Sequence, residues 1–308
     1  MKFFVGVKSD PIESRYSFEW LFDLMAGCGV HRLQMGSSSP VYFAGDEYFR
    51  GLRRTAEKKG IRITSMFSSH RDLGFGHRDP LLDDSTRRGW ERMIHVCSLV
   101  GAQSVGSNAC LVMRDQPDTR EPGLRTFITQ MKELLAVARR QGLEALTVEP
   151  MSSVYELPST PEEIRMLCQE LGAWHAAHAD TSVPLQLCGD ISHGLADADG
   201  KVTHDNWSLF QMQVPWMREF HFKNTDAIFN STFGFGPEER KRGIVDLQRF
   251  RTLLCSSASR FPCPELTGYL EIAGPKVGRE YADRHLERML VESLQALTAV
   301  FKDGEMMS

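Results

Sequence analysis

The 308-residue chain lacks the sequence features of several large classes of protein. No apolar run approaches the ~20 residues of a membrane helix, and no Pro/Gly/Ser-rich linker or low-complexity tract divides the chain. The seven cysteines are odd in number, scattered, and never spaced as C-x-x-C, which is typical of buried free thiols in a reducing compartment. The first seven residues are too short for a signal peptide. We therefore expect a cytoplasmic protein without a membrane partner.

A large basic surface and a nucleotide-binding loop are also missing. The formal net charge is −4, and the densest basic stretch, 50–59, has the helical spacing of a solvated face. A nucleic-acid partner would leave a larger basic footprint, so none is expected. Gly234 and Gly236 lack the strand and helix that flank a phosphate-binding loop, so no nucleotide cofactor is expected.

What the chain does contain is a strand pattern and a helix pattern that alternate eight times. The predicted strands are residues 3–7, 32–35, 61–67, 104–107, 143–148, 185–188, 218–222 and 269–272. The predicted helices are residues 18–28, 46–59, 86–100, 122–140, 160–172, 206–213, 245–254 and 279–301. Strict alternation favours a parallel sheet, and eight units favour a closed barrel. The predicted fold is therefore α/β, a (β/α)8 TIM barrel with residues 1–308 in a single domain and 302–308 as a loose tail.

Four of the predicted strands end in a residue that can bind a metal. Glu149 follows the fifth strand, Asp190 the sixth, His221 lies in the seventh, and Glu271 lies at the end of the eighth. The C-terminal ends of parallel barrel strands meet on one face, where barrel enzymes have their active sites. Carboxylates are costly to bury unless something binds them. A salt bridge to a barrel Lys or Arg would explain one of them, but a shared divalent cation explains several more easily.

Two further polar residues are predicted to reach the same face. His193 comes three residues after Asp190, in the turn that follows the strand. Period-2 alternation puts Glu219, His221 and Lys223 on one side of the seventh strand. Lys223 is expected either to contact a substrate oxygen or to pair with Asp226.

The order Glu149, Asp190-x-x-His193, His221, Glu271 resembles the xylose-isomerase-like TIM-barrel superfamily, and within it the ketose 3-epimerases of tagatose, psicose and ribulose. The resemblance implies that Glu149, Asp190, His221 and Glu271 bind Mn²⁺, with Mg²⁺ or Co²⁺ as alternatives. It also implies that Glu149 and Glu271 are catalytic in proton transfer. The resemblance extends from about residue 3 to 301 and implies a homo-oligomer, a dimer or tetramer.

The resemblance implies a substrate site as well, with two departures. His193 is expected to contact substrate, and Glu156 matches a further family glutamate in the loop after the first metal ligand. His70 and Lys223 are additional substrate-binding candidates. The substrate-contacting arginine of the family is missing, because 224–236 contains no Arg.

The implied activity is inversion of C3 of a ketose, free or phosphorylated, through an enediolate. An aldose–ketose isomerase or a tetrulose-phosphate epimerase would use the same site. For a phosphorylated substrate, Arg78 and Arg114 are candidate contacts, or they are ordinary surface residues.

Two rival readings belong to other classes of protein. An endonuclease-IV-type DNA-repair enzyme has the same barrel, and His70 is placed for an extra zinc ligand. That family has a His where Asn108 stands, and it needs a basic surface, which this chain lacks. A non-catalytic carbohydrate-binding barrel would not need the two glutamates.

Overall fold

A computed structural model of the chain describes residues 1–36, 39–68, 74–275 and 285–307. Eight strands of a nine-stranded sheet follow one another in the order β8-β7-β6-β5-β4-β3-β2-β1, and β8 also pairs with β1. Their bounds are β1 (Lys2–Lys8), β2 (Arg32–Gly36), β3 (Arg62–Phe67), β4 (Ser104–Ser107), β5 (Ala145–Val148), β6 (Leu185–Asp190), β7 (Met217–Phe222) and β8 (Glu265–Leu270). The pairing of first and last strand closes the sheet, so the chain is the eight-stranded parallel barrel that the sequence predicts.

Helices connect the strands, and several begin at side-chain caps that the sequence shows. Their bounds are α1 (Phe18–Gly27), α2 (Ser39–Phe43), α3 (Asp46–Lys58), α4 (Pro80–Val100), α5 (Arg120–Arg140), α6 (Pro161–Ala176), α7 (Asn206–Gln213), α8 (Pro237–Arg242), α9 (Leu247–Ser257) and α10 (Leu286–Val300). Ser17 accepts a hydrogen bond from Trp20 N, and Thr160 and Glu163 form a capping box before α6. Gly101 ends α4 in a left-handed conformation that glycine adopts at little cost.

The chain contains two compact units. The first comprises Met1–Met35, Leu52–Ile63 and Gly189–Ser308. There β1, β7 and β8 pair in parallel, with Val7 and Phe222 both opposite Leu270. A cluster of buried aromatic rings packs within this unit, with centroids 4.9–6.3 Å apart, and consists of Phe3, Phe210, Phe220, Phe222, Phe250 and Phe301.

The second unit comprises Gly36–Gly51 and Thr64–Cys188. There β3, β4, β5 and β6 are successive parallel neighbours. Beyond the strand ends, Cys110–Leu111 pairs antiparallel with Glu156–Leu157, and Phe75 forms a bridge to Cys110. The loops after β3, β4 and β5 are thereby joined by backbone hydrogen bonds.

Three sequence predictions need correction. The tail 302–308 is not loose over its described residues, because Glu305–Met306 forms an antiparallel strand with β1 and Met307 is buried. The eighth strand ends at Leu270, one residue before Glu271. Helix α4 begins at Pro80, six residues before the predicted start, because the side chain of Asp79 caps it. Among the described residues, no helix is long and apolar enough to cross a membrane.

Candidate metal centre

Four potential metal ligands lie together at the C-terminal ends of the barrel strands. Asp190 is the last residue of β6, His221 lies in β7, and Glu149 and Glu271 directly follow β5 and β8. Each offers one ligand atom, and the four atoms all lie within 4.8 Å of one another. The residues expected from the sequence to share a metal are thus brought together.

The parallel register of the strands explains much of this arrangement. His221 is opposite Tyr269, two residues before Glu271, and Val7 is opposite Leu270. Lys8 follows Val7 in β1, and Glu271 directly follows Leu270 at the end of β8, so the two residues emerge side by side. Alternation puts Glu219, His221 and the following Lys223 on one side of β7 and Phe220 and Phe222 on the other, and all five are buried.

Asp190 is fixed by its own turn and surrounded by positive groups. Its Oδ1 accepts a hydrogen bond from Ser192 N at 2.7 Å. Its Oδ2 lies 2.6 Å from Lys223 Nζ and 3.4 Å from His193 Nε2, although neither contact has hydrogen-bond geometry. Burial raises the pKa of Asp190, but the charges of His193 and Lys223 outweigh it and lower that pKa overall. The aspartate is therefore ionised, as a metal ligand must be.

Glu271 has a different lysine on each carboxylate oxygen. Lys8 Nζ donates to Oε1 at 2.5 Å, and Lys223 Nζ donates to Oε2 at 2.9 Å. His221 Nδ1 lies 3.4 Å from the same Oε2. Burial raises the pKa of Glu271, but Lys223, Lys8 and His221 together hold it well below its ordinary value.

The orientation of His221 is set by a hydrogen bond on the far side of its ring. His221 Nε2 donates to Gln34 Oε1 at 2.8 Å, and both side chains are fully buried. With Nε2 held in this bond, Nδ1 is the ring nitrogen that faces Glu271. A metal-binding histidine is commonly oriented by a hydrogen bond of this kind.

The donor set fits a divalent cation. Three carboxylates and one imidazole suit Mn²⁺, Mg²⁺, Co²⁺ or Zn²⁺. Ligands on opposite sides of such an ion are about 4.2 Å apart, given metal–oxygen distances of about 2.1 Å. The four candidate ligand atoms lie within 4.8 Å of one another, so the group is compact enough to hold one such ion.

The other predicted site residues have different outcomes. His193 and Lys223 lie in the cluster, with Lys223 Nζ 3.1 Å from His193 Nε2. Asp226, the alternative partner of Lys223, instead accepts hydrogen bonds from Ile228 N and Asn230 N in its own loop. Glu156 is half-buried in the strand pair beyond β5. His70 lies outside the described residues.

The two arginines considered for a phosphate are both engaged with neighbouring side chains. Arg78 Nη2 donates to both carboxylate oxygens of Asp118, at 2.7 and 2.8 Å. The guanidinium of Arg114 lies 4.6 Å from the centre of the Tyr155 ring.

Sequence reasoning missed two residues of the cluster, Lys8 and Gln34. A signal for Lys8 was present, because it is a charged residue at the end of a short apolar strand, as Glu149 and Asp190 are. Gln34 alternates with Leu33 and Met35 in β2, so its inward direction was readable, but its partner was not.

A comparison of the sequence with known protein families shows which family the chain belongs to. The sequence profile of the xylose isomerase-like TIM barrel family matches residues 22–262. The chain belongs to this family. Solved structures with a similar fold include a D-psicose 3-epimerase, a probable 3-DHS dehydratase and a sugar phosphate isomerase/epimerase.

The xylose isomerase-like barrel of this chain is similar to several solved structures. A Rhodospirillum rubrum protein named as a candidate xylose isomerase is 22% identical, with a TM-score of 0.77 over 98% of this chain and 99% of that one. D-Psicose 3-epimerase from Clostridium cellulolyticum, solved with D-tagatose, is 12% identical, with a TM-score of 0.72 over 97% and 99%. The IolI protein, solved with a zinc atom, is 13% identical, with a TM-score of 0.68 over 98% and 100%. No curated protein sequence is significantly similar to the chain.

Proposed function

We propose that this protein is a divalent-metal-dependent epimerase that inverts C3 of a ketose. The observation that supports the proposal is the group Glu149, Asp190, His221 and Glu271, whose candidate ligand atoms lie within 4.8 Å of one another. The similarity to D-psicose 3-epimerase supports the sugar class.

The proposed reaction needs a base, an acid and a stabilised enediolate. A bound divalent cation would act as the Lewis acid that makes the proton next to the ketone removable. We assign Glu149 and Glu271 as the pair that removes the C3 proton from one face and returns it to the other. His193 and Lys223 would bind substrate oxygens beside them, and Glu156 would contact the sugar further out.

The surroundings of Glu271 prepare it for this role. Lys8 and Lys223 hold both of its carboxylate oxygens in place. A carboxylate that is fixed before the substrate arrives loses little entropy in the reaction. Gln34 does the same for the His221 ring.

We assign Mn²⁺ as the metal, with Mg²⁺ or Co²⁺ as alternatives, because oxygen ligands dominate the set. The zinc in the IolI protein makes Zn²⁺ a fourth ion to be tested. We also propose a cytoplasmic dimer or tetramer. The seven cysteines are free, which is consistent with a reducing compartment.

The first test is metal content, followed by incubation with ketoses in D₂O. The purified protein is analysed for bound metal, reloaded with Mn²⁺, and incubated with four- to six-carbon ketoses, free and phosphorylated, while NMR follows deuterium. Deuterium at C3 together with a new diastereomer or enantiomer is the expected result. Deuterium at C1 with an aldose product would show an isomerase instead.

Matched variants connect the exchange to the proposed residues. Glu149→Gln should abolish exchange at C3, whereas Glu144→Gln, an exposed glutamate before the same strand, should leave it unchanged. Glu271→Gln and Glu265→Gln form a second pair of test and control. Glu271 directly follows β8, and Glu265 is the first residue of that strand. Undiminished exchange in Glu149→Gln or Glu271→Gln would contradict the assigned proton-transfer roles.

A further inference from the structure

Lys8 is a buried charge in the cluster that the sequence pattern did not assign. It is the last residue of β1, and it is 1% exposed. Lysine is almost never buried to this degree unless it is paired. A lysine at the inner end of a barrel strand therefore calls for an explanation beyond packing.

The strand register places Lys8 directly beside Glu271. Gly6 and Val7 of β1 are opposite Tyr269 and Leu270 of β8 in a parallel pair. Lys8 follows Val7 as the last residue of β1, and Glu271 directly follows the end of β8. The two side chains leave neighbouring strands at the same level. Their contact therefore follows from the backbone of the barrel and does not depend on a flexible loop.

Lys8 contacts only one of the two carboxylate oxygens of Glu271, and other residues contact the second. Lys8 Nζ lies 2.5 Å from Oε1 and 3.1 Å from Asp10 Oδ2. The other oxygen, Oε2, faces Lys223 at 2.9 Å and His221 at 3.4 Å. Oε2 is therefore the oxygen on the side of the other ligands, and Oε1 is turned away from them toward β1.

A carboxylate held by one oxygen cannot turn freely about its terminal bond. Without the ammonium group, Glu271 could rotate and offer both oxygens to the same side of the cluster. Its angle to the substrate would then change, and misplacement of a reacting group by about 1 Å can cost ~100-fold in rate.

We propose that Lys8 is a positioning residue that holds Glu271 by Oε1, so that only Oε2 serves the reaction side. The inference rests on the proposed proton-transfer function of Glu271. This positioning role differs from a role in retaining the metal. Removal of the positive charge of Lys8 near a cation site should strengthen binding of the cation, not weaken it.

The test compares Lys8→Met with Lys2→Met in the full-length protein. Lys2 is an exposed lysine at the opposite end of the same strand, so it controls for loss of a charge from β1. Mn²⁺ affinity and the electron paramagnetic resonance spectrum of bound Mn²⁺ are measured, together with kcat and KM for C3 exchange. Circular dichroism and thermal unfolding verify the fold, and Lys8→Gln, which keeps an N–H donor, replaces Lys8→Met if that variant does not fold.

In Lys8→Met we expect kcat to fall by about 10- to 100-fold. KM should change by less than about threefold, Mn²⁺ affinity should be retained or increased, and the Mn²⁺ spectrum should change. Lys8→Arg keeps the charge and the donors, so it should recover kcat to within about tenfold of the original protein. Lys2→Met should match the original protein in every measurement.

Two results would overturn the proposal. One is an unchanged kcat in Lys8→Met, and the other is a weakened Mn²⁺ affinity with kcat fully restored by saturating Mn²⁺. If the original protein exchanges no ketose, the proposed function fails, but the Mn²⁺ spectrum still decides the role of Lys8. A changed spectrum in Lys8→Met and not in Lys2→Met supports positioning, and an unchanged spectrum refutes it.

Discussion

Replacement of Glu271 by glutamine tests whether the buried charges at the strand ends depend on one another. The substitution keeps the size of the side chain and removes one negative charge. In the metal-free protein, Lys8 at 2.5 Å and Lys223 at 2.9 Å would each lose an ionised partner. Asp10 and Asp190 would remain beside them, so neither lysine would be wholly unpaired.

The expected cost follows from the two distances. With an effective dielectric constant of about 20, each contact is worth about 6 kcal/mol before desolvation is subtracted. Measured costs of removing one partner from a buried pair are about 3–5 kcal/mol, and we expect Glu271→Gln to lower the free energy of unfolding by that amount. Glu265→Gln, in the same strand, breaks a pair with Arg32 in which the glutamate is 44% exposed, and it should cost at most about 1 kcal/mol.

The lowered pKa of Glu271 also predicts how the stability difference changes with pH. Because the folded-state pKa of Glu271 is lowered, its contribution to stability is complete above its unfolded-state pKa of about 4.3. That contribution is lost as the pH falls through the folded-state pKa. The stability difference between the original protein and Glu271→Gln should therefore be constant between pH 7 and about 5.5, and shrink below about pH 4.3.

Urea unfolding in the presence of a chelator, followed by circular dichroism at several pH values, measures both quantities. The reasoning is refuted if Glu271→Gln is as stable as Glu265→Gln at pH 7. It is also refuted if the difference grows on acidification, because that would mean the carboxylate is buried in its neutral form.

Two further predictions concern the tail and the cysteines. Met307→Ala should lower the free energy of unfolding by about 2–3 kcal/mol, because the side chain is buried beside β1; a loose tail would give no change in urea unfolding. Burial raises the pKa of Cys110 and Cys168 to about 12, so these thiols should resist iodoacetamide at pH 8. The half-buried Cys28 and Cys255 should be alkylated first, as peptide mass spectrometry would show, and early labelling of Cys168 would contradict the buried position.

The sequence identified the strand ends because buried strands and their terminal charges have a local signature. Short apolar runs that end in Glu149 and Asp190 predicted both the barrel and the side chains on its C-terminal face. Lys8 has the same signature, because it is the charged last residue of the short apolar strand β1. The D-x-x-H spacing also gave the turn that places His193 beside Asp190.

The tail shows why other features were not readable. Residues 302–307 have no strong strand pattern. Glu305–Met306 becomes a strand because Lys2 and Phe3 of β1 lie before its pairing with β2, and because Arg251 binds Glu305. Partners distant in sequence decide this outcome, and no local pattern records them.

The sequence by itself determined the eight alternating units, the caps that begin α1 and α6, and the identities of the potential ligands. These depend on hydrophobic periodicity and on hydrogen bonds within a few residues, which the order of residues fixes directly. Only the tertiary structure decided which lysine faces which oxygen of Glu271, and that Gln34 orients His221. Those contacts join residues 48 to 263 positions apart, and the register of neighbouring strands is what brings them within hydrogen-bond distance.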